Sequence, residues 1–173
     1  EYFSSLPEGF APARQLRAAL TADVQKVQFV GVAGTAGKTA AAGLLAAILR
    51  EAAFHVGFYR AGCEPLSARI AIGGVSVDPV LLCQAAEALS AAKPLPREAA
   101  ELAAAARCFG AAGCKLAVVE LPDAGLASAL PNMPVCAVTA IGPDGVSRSV
   151  ERLATLAAGV MRKDAVCVTA PEQ

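Results

Sequence analysis

The sequence predicts an α/β fold in which a mostly parallel sheet lies between two layers of helices. Short apolar runs alternate with alanine-rich helical segments along the 173 residues. Early in the chain, one such run turns through glycines into a helix over residues 40–49, and a further apolar run follows. This order of strand, helix and strand requires a crossover connection, which favours parallel strands in a three-layer arrangement.

The first predicted elements are a lead-in and a strand–loop–helix unit. Residues 1–25 form the lead-in, with a short helix over residues 12–20. The apolar run that begins at Lys26 is the first strand. The helix over residues 40–49 consists of strong helix formers. We expect its large apolar side chains to cover one face against the sheet, namely Leu44, Leu45, Ile48 and Leu49.

A small β-hairpin is predicted after the second strand. That strand spans residues 54–59 and contains His55, which is the only histidine of the chain. We interpret His55 as an ordinary strand-end residue, with a catalytic base as the alternative. A loop over residues 60–67 follows, and strands at 69–72 and 75–77 then flank Gly73 and Gly74, a two-residue hairpin signal.

The rest of the chain continues the alternation of helices and strands. Asp78 is a good N-cap for a helix to about residue 91, and a helix over residues 97–112 ends at Gly113. Residues 121–134 are predicted to be irregular, and residues 141–145 turn the chain. The remaining elements are strands at 115–120, 135–139 and 165–169 and a helix at 147–161. No repeat or linker interrupts this order, which predicts a single domain over residues 1–173.

Composition excludes several classes of function. The chain has 15 basic and 15 acidic residues and no basic cluster, so nothing in it indicates nucleic-acid binding. Its longest apolar run, residues 40–49, is too short to cross a bilayer, and no secretory leader is visible. The six cysteines lack metal-ligand spacing. We therefore expect a cytoplasmic protein with reduced cysteines and no membrane partner.

A candidate phosphate-binding loop joins the first strand to its helix. It consists of Gly34, Thr35, Ala36, Gly37, Lys38 and Thr39. A glycine loop at a helix start presents backbone N–H groups and the positive end of the helix dipole to an anion. Lys38 would hold the terminal phosphates of ATP, and the Thr39 hydroxyl would bind Mg²⁺. The usual P-loop glycine is replaced by Val32, so a glycine-rich connector is the alternative.

Glu120 is the most informative acidic residue. It lies at the carboxyl end of a buried strand, and ligands of open parallel sheets bind beyond the carboxyl ends of the strands. Glu120 is therefore expected to face the same crevice as Lys38 and to hold Mg²⁺ together with Thr39. The alternative is an acid that is merely exposed at a strand end.

These residues resemble the ATP-binding domain of the folylpolyglutamate synthases and of the related Mur ligases. Residues 32–39 are similar to the family's V-A-G-T-N-G-K-G/T loop, which also lacks the early glycine, and residues 116–120 to its L-A-V-L-E strand. Further similarities are at residues 55–59 (Y-R-V-G-L-Y), 68–74 (E-R-I-R-I-N-G), 139–142 (T-S-I-G) and 158–161 (A-G-I-I). The likeness covers about residues 27–173, somewhat under half of a complete synthase, and implies a P-loop NTPase-like fold.

The resemblance also implies a reaction. In such ligases, ATP phosphorylates a substrate carboxylate, and an amino acid's amine attacks the acyl phosphate. The family's magnesium-binding histidine falls in Pro143-Asp144-Gly145, its carbamylated lysine at Ala157 and its loop asparagine at Ala36. The segments after Glu120 and around residues 60–65 also depart from the family. The catalytic residues therefore stay unassigned, and the family's carboxy-terminal amino-acid-binding domain is expected to be absent from residues 1–173.

Two readings of function follow. The first is a nucleotide-binding domain of ligase descent, with ATP and Mg²⁺ as cofactors, whose ligase activity is weak or lost. The second is a non-catalytic interaction or structural protein that keeps the fold without nucleotide turnover. The apolar composition suggests a homodimer or a partner chain that covers exposed apolar surface.

Overall fold

The predicted α/β architecture is confirmed by a computed structural model, which describes residues 2–9, 13–122, 124–142 and 149–170. Seven strands form one sheet in the order β4-β3-β2-β5-β1-β6-β7. The strands are β1 Gln28–Ala33, β2 Val56–Tyr59, β3 Ile70–Ile72, β4 Val75–Ser76, β5 Leu116–Glu120, β6 Val135–Val138 and β7 Val166–Thr169. The helices are α1 Ala13–Ala18, α2 Lys38–Glu51, α3 Leu66–Arg69, α4 Pro79–Ser90, α5 Arg97–Ala111 and α6 Val150–Ala158. Three 3-10 turns span Phe3–Ser5, Ala22–Lys26 and Ala124–Ala129.

The sheet is parallel except at one edge. β1 pairs in parallel with β5 on one side and with β6 on the other, so the carboxyl ends of these three strands meet. β3 and β4 form the predicted antiparallel hairpin next to β2. Gly73 and Gly74 have φ angles of 60° and 86°, which are the positive values that a tight two-residue hairpin turn needs.

The helix α5 packs closely on the sheet. Most of its side chains are buried in the larger of two apolar cores, where alanines keep the helix near the strands. A Cβ atom at Gly57 of β2 would overlap the ring of Phe109 on α5. The absence of a side chain at Gly57 therefore lets this ring lie directly on the strand.

The predicted apolar face of α2 is correct for two of its four large side chains and wrong for the other two. Leu45 and Leu49 pack partly against the smaller core, but Leu44 and Ile48 are 65% and 57% exposed. Ala42 and Ala46 are buried instead. Small side chains occupy the line of closest approach to the sheet, so the larger ones flank it or face solvent.

Several predicted boundaries change in the structure. The predicted loop over residues 60–67 ends in the short helix α3, so Arg69 is helical rather than part of a strand. The segment predicted to be irregular contains the turn Ala124–Ala129. α6 follows Ser149, whose hydroxyl caps the helix by accepting from Arg152 N at 3.2 Å. The predicted turn at 143–145 and helix start at 147 lie outside the described residues. Within the described residues, no helix is long and apolar enough to cross a membrane.

Candidate phosphate-binding site

The loop between β1 and α2 has the conformation that its glycines allow. Gly34 and Gly37 have φ angles of 130° and 80°, which residues with side chains rarely adopt. Gly37 is the N-cap of α2, and no side chain caps the helix. The first amides of α2 are therefore not occupied by a capping oxygen, which is the arrangement that anions use at helix starts.

The loop rests on the residues that follow β6. A Cβ atom at Gly34 would overlap Thr139 Oγ1, so the loop and this threonine are in close contact. Thr139 Oγ1 donates to Ala33 O at 3.1 Å. The carbonyl of Ala140 accepts hydrogen bonds from Thr35 N at 3.1 Å and from Ala36 N at 3.2 Å.

The side chain of Thr35 strengthens the same contact. Its hydroxyl donates to Ala140 O at 3.2 Å and accepts from Gly142 N at 2.7 Å. Thr35 and Ala36 were both predicted to bind the cofactor, but the hydrogen bonds of Thr35 N, Thr35 Oγ1 and Ala36 N go to the segment after β6. These hydrogen bonds hold the loop against the segment after β6, while Gly37, Lys38 and Thr39 form the N-cap and the first residues of α2.

The structure brings Thr39 and Glu120 together, as the sequence predicted. Val32 of β1 is paired with Glu120 of β5, which places this carboxylate beside the beginning of α2. Thr39 Oγ1 donates to Glu120 Oε2 at 3.0 Å, and Glu120 is only 4% exposed. Glu120 is therefore not the exposed strand-end acid of the alternative interpretation. Lys38 Nζ donates to Gly34 O at 2.8 Å, so the ammonium group lies over the loop.

A cavity of about 310 Å³ opens beside the loop. One side is formed by the end of β1, the loop and Lys38, and the other by α6. The lining residues from α6 are Leu153, Leu156 and Ala157. Glu98 at the start of α5 adds a carboxylate to the wall.

A second cavity of about 450 Å³ lies next to the first and shares Glu98 and Pro122 with it. Its wall contains a buried ion-pair cluster, in which Glu101 Oε1 lies 2.7 Å from Arg69 Nη2 and 3.0 Å from Arg97 Nε. Burial, and then the charge of Glu101, raise the pKa of Tyr59 above its ordinary value. Among the described residues, Arg69 Nη1 is the one buried side-chain nitrogen or oxygen without a hydrogen-bond partner.

His55 lies away from both cavities. It precedes β2, at the end of the strand opposite to the crevice, and its Nε2 is 3.3 Å from Ala112 O. This placement fits the ordinary strand-end interpretation. Within the part of the chain that the structure describes, no cluster of three or more His, Cys, Asp or Glu residues could hold a metal ion by itself.

Sequence reasoning did not assign the residues that support and enclose the loop. Thr139 and Gly142 were noted only as part of a local similarity, and Glu98 was not singled out. A signal for the first two was available, because they directly follow a buried strand whose carboxyl end must meet the crevice. The contribution of Glu98 depends on how α5 is placed, which no local pattern indicates.

The described residues thus define an α/β domain with a crevice at the carboxyl ends of β1, β5 and β6. Structural comparison shows the same fold in folylpolyglutamate synthases. An E. coli FolC in complex with ADP has a TM-score of 0.84 and 22% identity, over 99% of this chain and 44% of that chain. A folylpolyglutamate synthase in complex with AMPPCP has a TM-score of 0.82 and 23% identity, over 97% of this chain and 46% of that chain.

A Mycobacterium tuberculosis folylpolyglutamate synthase complexed with ADP has a TM-score of 0.77 and 22% identity, over 94% of this chain and 42% of that chain. The chain therefore spans somewhat less than half the length of these synthases, and its fold is that of their nucleotide-binding region. No family model and no curated protein sequence matches it.

Proposed function

We propose that this chain is a nucleotide-binding domain of folylpolyglutamate synthase and Mur ligase descent that holds ATP with Mg²⁺ at residues 34–39. The observation that carries the proposal is the contact of 3.0 Å between Thr39 Oγ1 and the buried Glu120 Oε2, directly beside an uncapped helix start. Structural neighbours with this fold are described as complexes with AMPPCP and ADP, which supports the same class of ligand here.

Thr39 and Glu120 fit the requirements of Mg²⁺. Both offer oxygen atoms, which are the ligands that this hard cation prefers. The hydrogen bond of 3.0 Å between these two oxygens shows that they are close enough for both to hold one cation. Phosphate oxygens and water would complete the coordination, and the bound ion would stabilise charge on the phosphates.

Lys38 and the start of α2 would hold the phosphates. The ammonium group of Lys38 lies over the loop, within 2.8 Å of Gly34 O, and a rotation of its flexible side chain would bring it to a terminal phosphate. Gly37 presents no side chain at the helix start, so the backbone can approach an anion closely.

The second cavity is where an acceptor molecule would lie next to the nucleotide. It adjoins the first cavity through Glu98 and Pro122, so a group bound there would lie near the loop. Arg69 and Arg97 line this cavity together with Glu8, Glu98 and Glu101, and both guanidinium groups are paired with Glu101. The charges of this lining therefore do not select an anion, and the chemical class of the acceptor stays unassigned.

Ligase activity is proposed to be weak or lost. Ala157 lines the first cavity at the position where the resemblance places the carbamylated lysine of active synthases. A methyl group there provides neither charge nor a metal ligand, and the neighbouring Leu153 and Leu156 are also apolar. Binding of the nucleotide depends on the loop, so it can persist where the transfer of the phosphoryl group is slow.

A specific observation supports the non-catalytic alternative. Leu44 and Ile48 on α2 and Val166 and Val168 on the edge strand β7 are all more than half exposed. Such apolar side chains are typical of surfaces that contact another protein. A protein of this second kind would keep the fold without turning over a nucleotide.

Calorimetric titration of ATP in the presence of Mg²⁺ tests the proposal. We expect the wild type to bind, and Lys38→Ala to weaken binding by about tenfold or more, since a charged hydrogen bond contributes about 1.5–3 kcal/mol. Lys115→Ala is the matched control because Lys115 precedes β5, at the strand end opposite to Glu120. Absence of binding to the wild type would contradict the assignment of residues 34–39 as a phosphate-binding loop.

The variant Glu120→Gln tests the binding of Mg²⁺ separately from the binding of the nucleotide. This variant keeps the size of the side chain but removes its charge, so we expect a loss of the Mg²⁺ dependence of ATP binding rather than of binding itself. An unchanged Mg²⁺ dependence would show that Glu120 is not a magnesium ligand. Formation of ADP by the wild type, measured with and without carboxylic acids, then reports whether any phosphoryl transfer survives.

A further inference from the structure

Two cysteines lie directly opposite each other on neighbouring strands. Cys136 of β6 is the register partner of Cys167 of β7, and the two strands are parallel. Side chains of register partners point to the same face of a sheet, and neighbouring strands are about 4.7–4.9 Å apart. Disulfides form between cysteines whose Cα atoms are about 4.4–6.8 Å apart, so this backbone spacing is compatible with a bridge.

The two cysteines lie side by side in the register of β6 and β7 and differ in access. Cys136 is fully buried, whereas Cys167 is partly exposed on the outermost strand. Burial, followed by a hydrogen bond that the Cys136 S–H donates to Cys167, raises the pKa of Cys136 to about 11. Both cysteines are free thiols in the structure, as are the other four. Cys167 is thus the side chain that a reagent from solvent reaches first.

The pair lies at the base of the crossover that encloses the candidate phosphate-binding site. β6 leads directly to Thr139, which supports the loop, and α6 between β6 and β7 forms one wall of the first cavity. A bond between Cys136 and Cys167 would join the two ends of this crossover. The edge strand β7, which has a neighbour on only one side, would then be covalently fixed to the sheet.

We propose that Cys136 and Cys167 form a redox-modification site, which a low-molecular-weight disulfide oxidises to a cross-strand disulfide. The Cys167 thiolate attacks one sulfur of the reagent, so that the reagent's S–S bond breaks, a mixed disulfide forms and one thiolate leaves and takes up a proton. The Cys136 thiolate then attacks the sulfur of Cys167 and releases the second reagent thiol. Two protein thiols are oxidised and one disulfide is reduced to two thiols, which balances the reaction.

The other cysteines provide internal controls. Cys63 and Cys83 are exposed, and neither lies on a strand of the sheet, so they are expected to carry the mixed disulfide without a partner. Cys108 and Cys114 are buried, and burial raises the pKa of each to about 11. Unlike Cys136, neither of them has a cysteine as its register partner, so they are expected to stay reduced while the chain is folded.

Mass spectrometry of the folded protein after treatment with glutathione disulfide tests the proposal. Trypsin releases Cys136 in the peptide of residues 116–148 and Cys167 in that of residues 164–173. We expect these two peptides to be joined and to separate on reduction. Cys83→Ser should leave the joined product unchanged, whereas Cys167→Ser should slow the loss of the Cys136 thiol by about tenfold or more.

Three outcomes would overturn the proposal. The first is glutathione carried stably on Cys167 while Cys136 keeps its thiol. The second is a joined product that appears only in denaturant, and the third is no reaction at either cysteine of the folded protein. None of these measurements involves a nucleotide, so the result is independent of the function proposed for the loop.

Discussion

Removal of Glu101 should destabilise the protein far more than removal of a surface acid. Glu101 and Arg69 form a contact of 2.7 Å, and their side chains are 5% and 1% exposed. Breaking a buried ion pair by removing one partner costs about 3–5 kcal/mol, because the other charge stays buried without compensation. In Glu101→Leu, the charge that loses its partner is the guanidinium group of Arg69, whose Nη1 already lacks a hydrogen-bond partner.

Urea unfolding measures this effect. With an m-value of about 2 kcal/mol/M, a loss of about 4 kcal/mol lowers the midpoint by about 2 M. Such a loss is a large share of the roughly 5–15 kcal/mol that stabilises an ordinary domain. The matched control is Glu64→Gln, because Glu64 pairs with Arg60 at 3.0 Å but is 48% exposed. Exposed pairs contribute about 0.2–1 kcal/mol, so the control should scarcely move the midpoint.

A double variant distinguishes the loss of a charge partner from the loss of packing. Arg69→Met combined with Glu101→Leu removes both charges and leaves apolar side chains of similar length. Replacement of a whole buried pair is often neutral or stabilising, so most of the lost stability should return. The reasoning would be refuted if Glu101→Leu unfolded at the same urea concentration as Glu64→Gln, or if the double variant were less stable than Glu101→Leu alone.

Three further predictions concern close contacts and pH. Gly34→Ala should abolish MgATP binding in calorimetry and lower the free energy of unfolding by about 1–3 kcal/mol, since φ is 130° and the new methyl group meets Thr139; wild-type affinity would contradict this. Gly57→Ala should lower the free energy of unfolding by about 1–3 kcal/mol, and the melting temperature with it, because the new methyl group overlaps Phe109. An unchanged melting temperature would show that the ring can move aside without cost. The raised pKa of Tyr59 means that the folded state holds its proton longer than the unfolded state, so stability should fall as the pH rises above about 10. Tyr59→Phe should flatten that part of the pH profile, and an equal slope in both proteins would argue against the shift.

The order of elements could be predicted because each depends on local information. Alternating apolar runs and helix formers identify strands and helices, and Gly73-Gly74 identifies the hairpin. The contact between Thr39 and Glu120 was also predictable, since parallel strands bring their carboxyl ends to the same edge. In each of these cases, a rule of geometry converts a position in the sequence into a position in the fold.

The errors have a common physical cause. Which face of α2 is turned to the sheet depends on how closely the helix approaches the strands. Ala42 and Ala46 lie on the buried face, whereas Leu44 and Ile48 are exposed. Leucine is more hydrophobic than alanine and would be expected to be buried first, but the space between the helix and the sheet accommodates only the smaller side chain. The contribution of Glu98 to the first cavity likewise depends on how α5 is placed on the sheet, which no local pattern contains.

The two parts of the crevice depend on different segments, and this explains how binding and ligation could separate. The candidate phosphate-binding loop, residues 34–39, contacts the end of β5 and the segment after β6, and the sheet fixes the position of both. The wall opposite the cradle comes from α6, on which Ala157, Leu153 and Leu156 face the cavity. Under the proposed function, a substitution on α6 would remove a reactive group without changing the strands or the loop. A chain of this fold would then lose the chemistry of phosphoryl transfer step by step while the conformation of the candidate phosphate-binding loop is preserved.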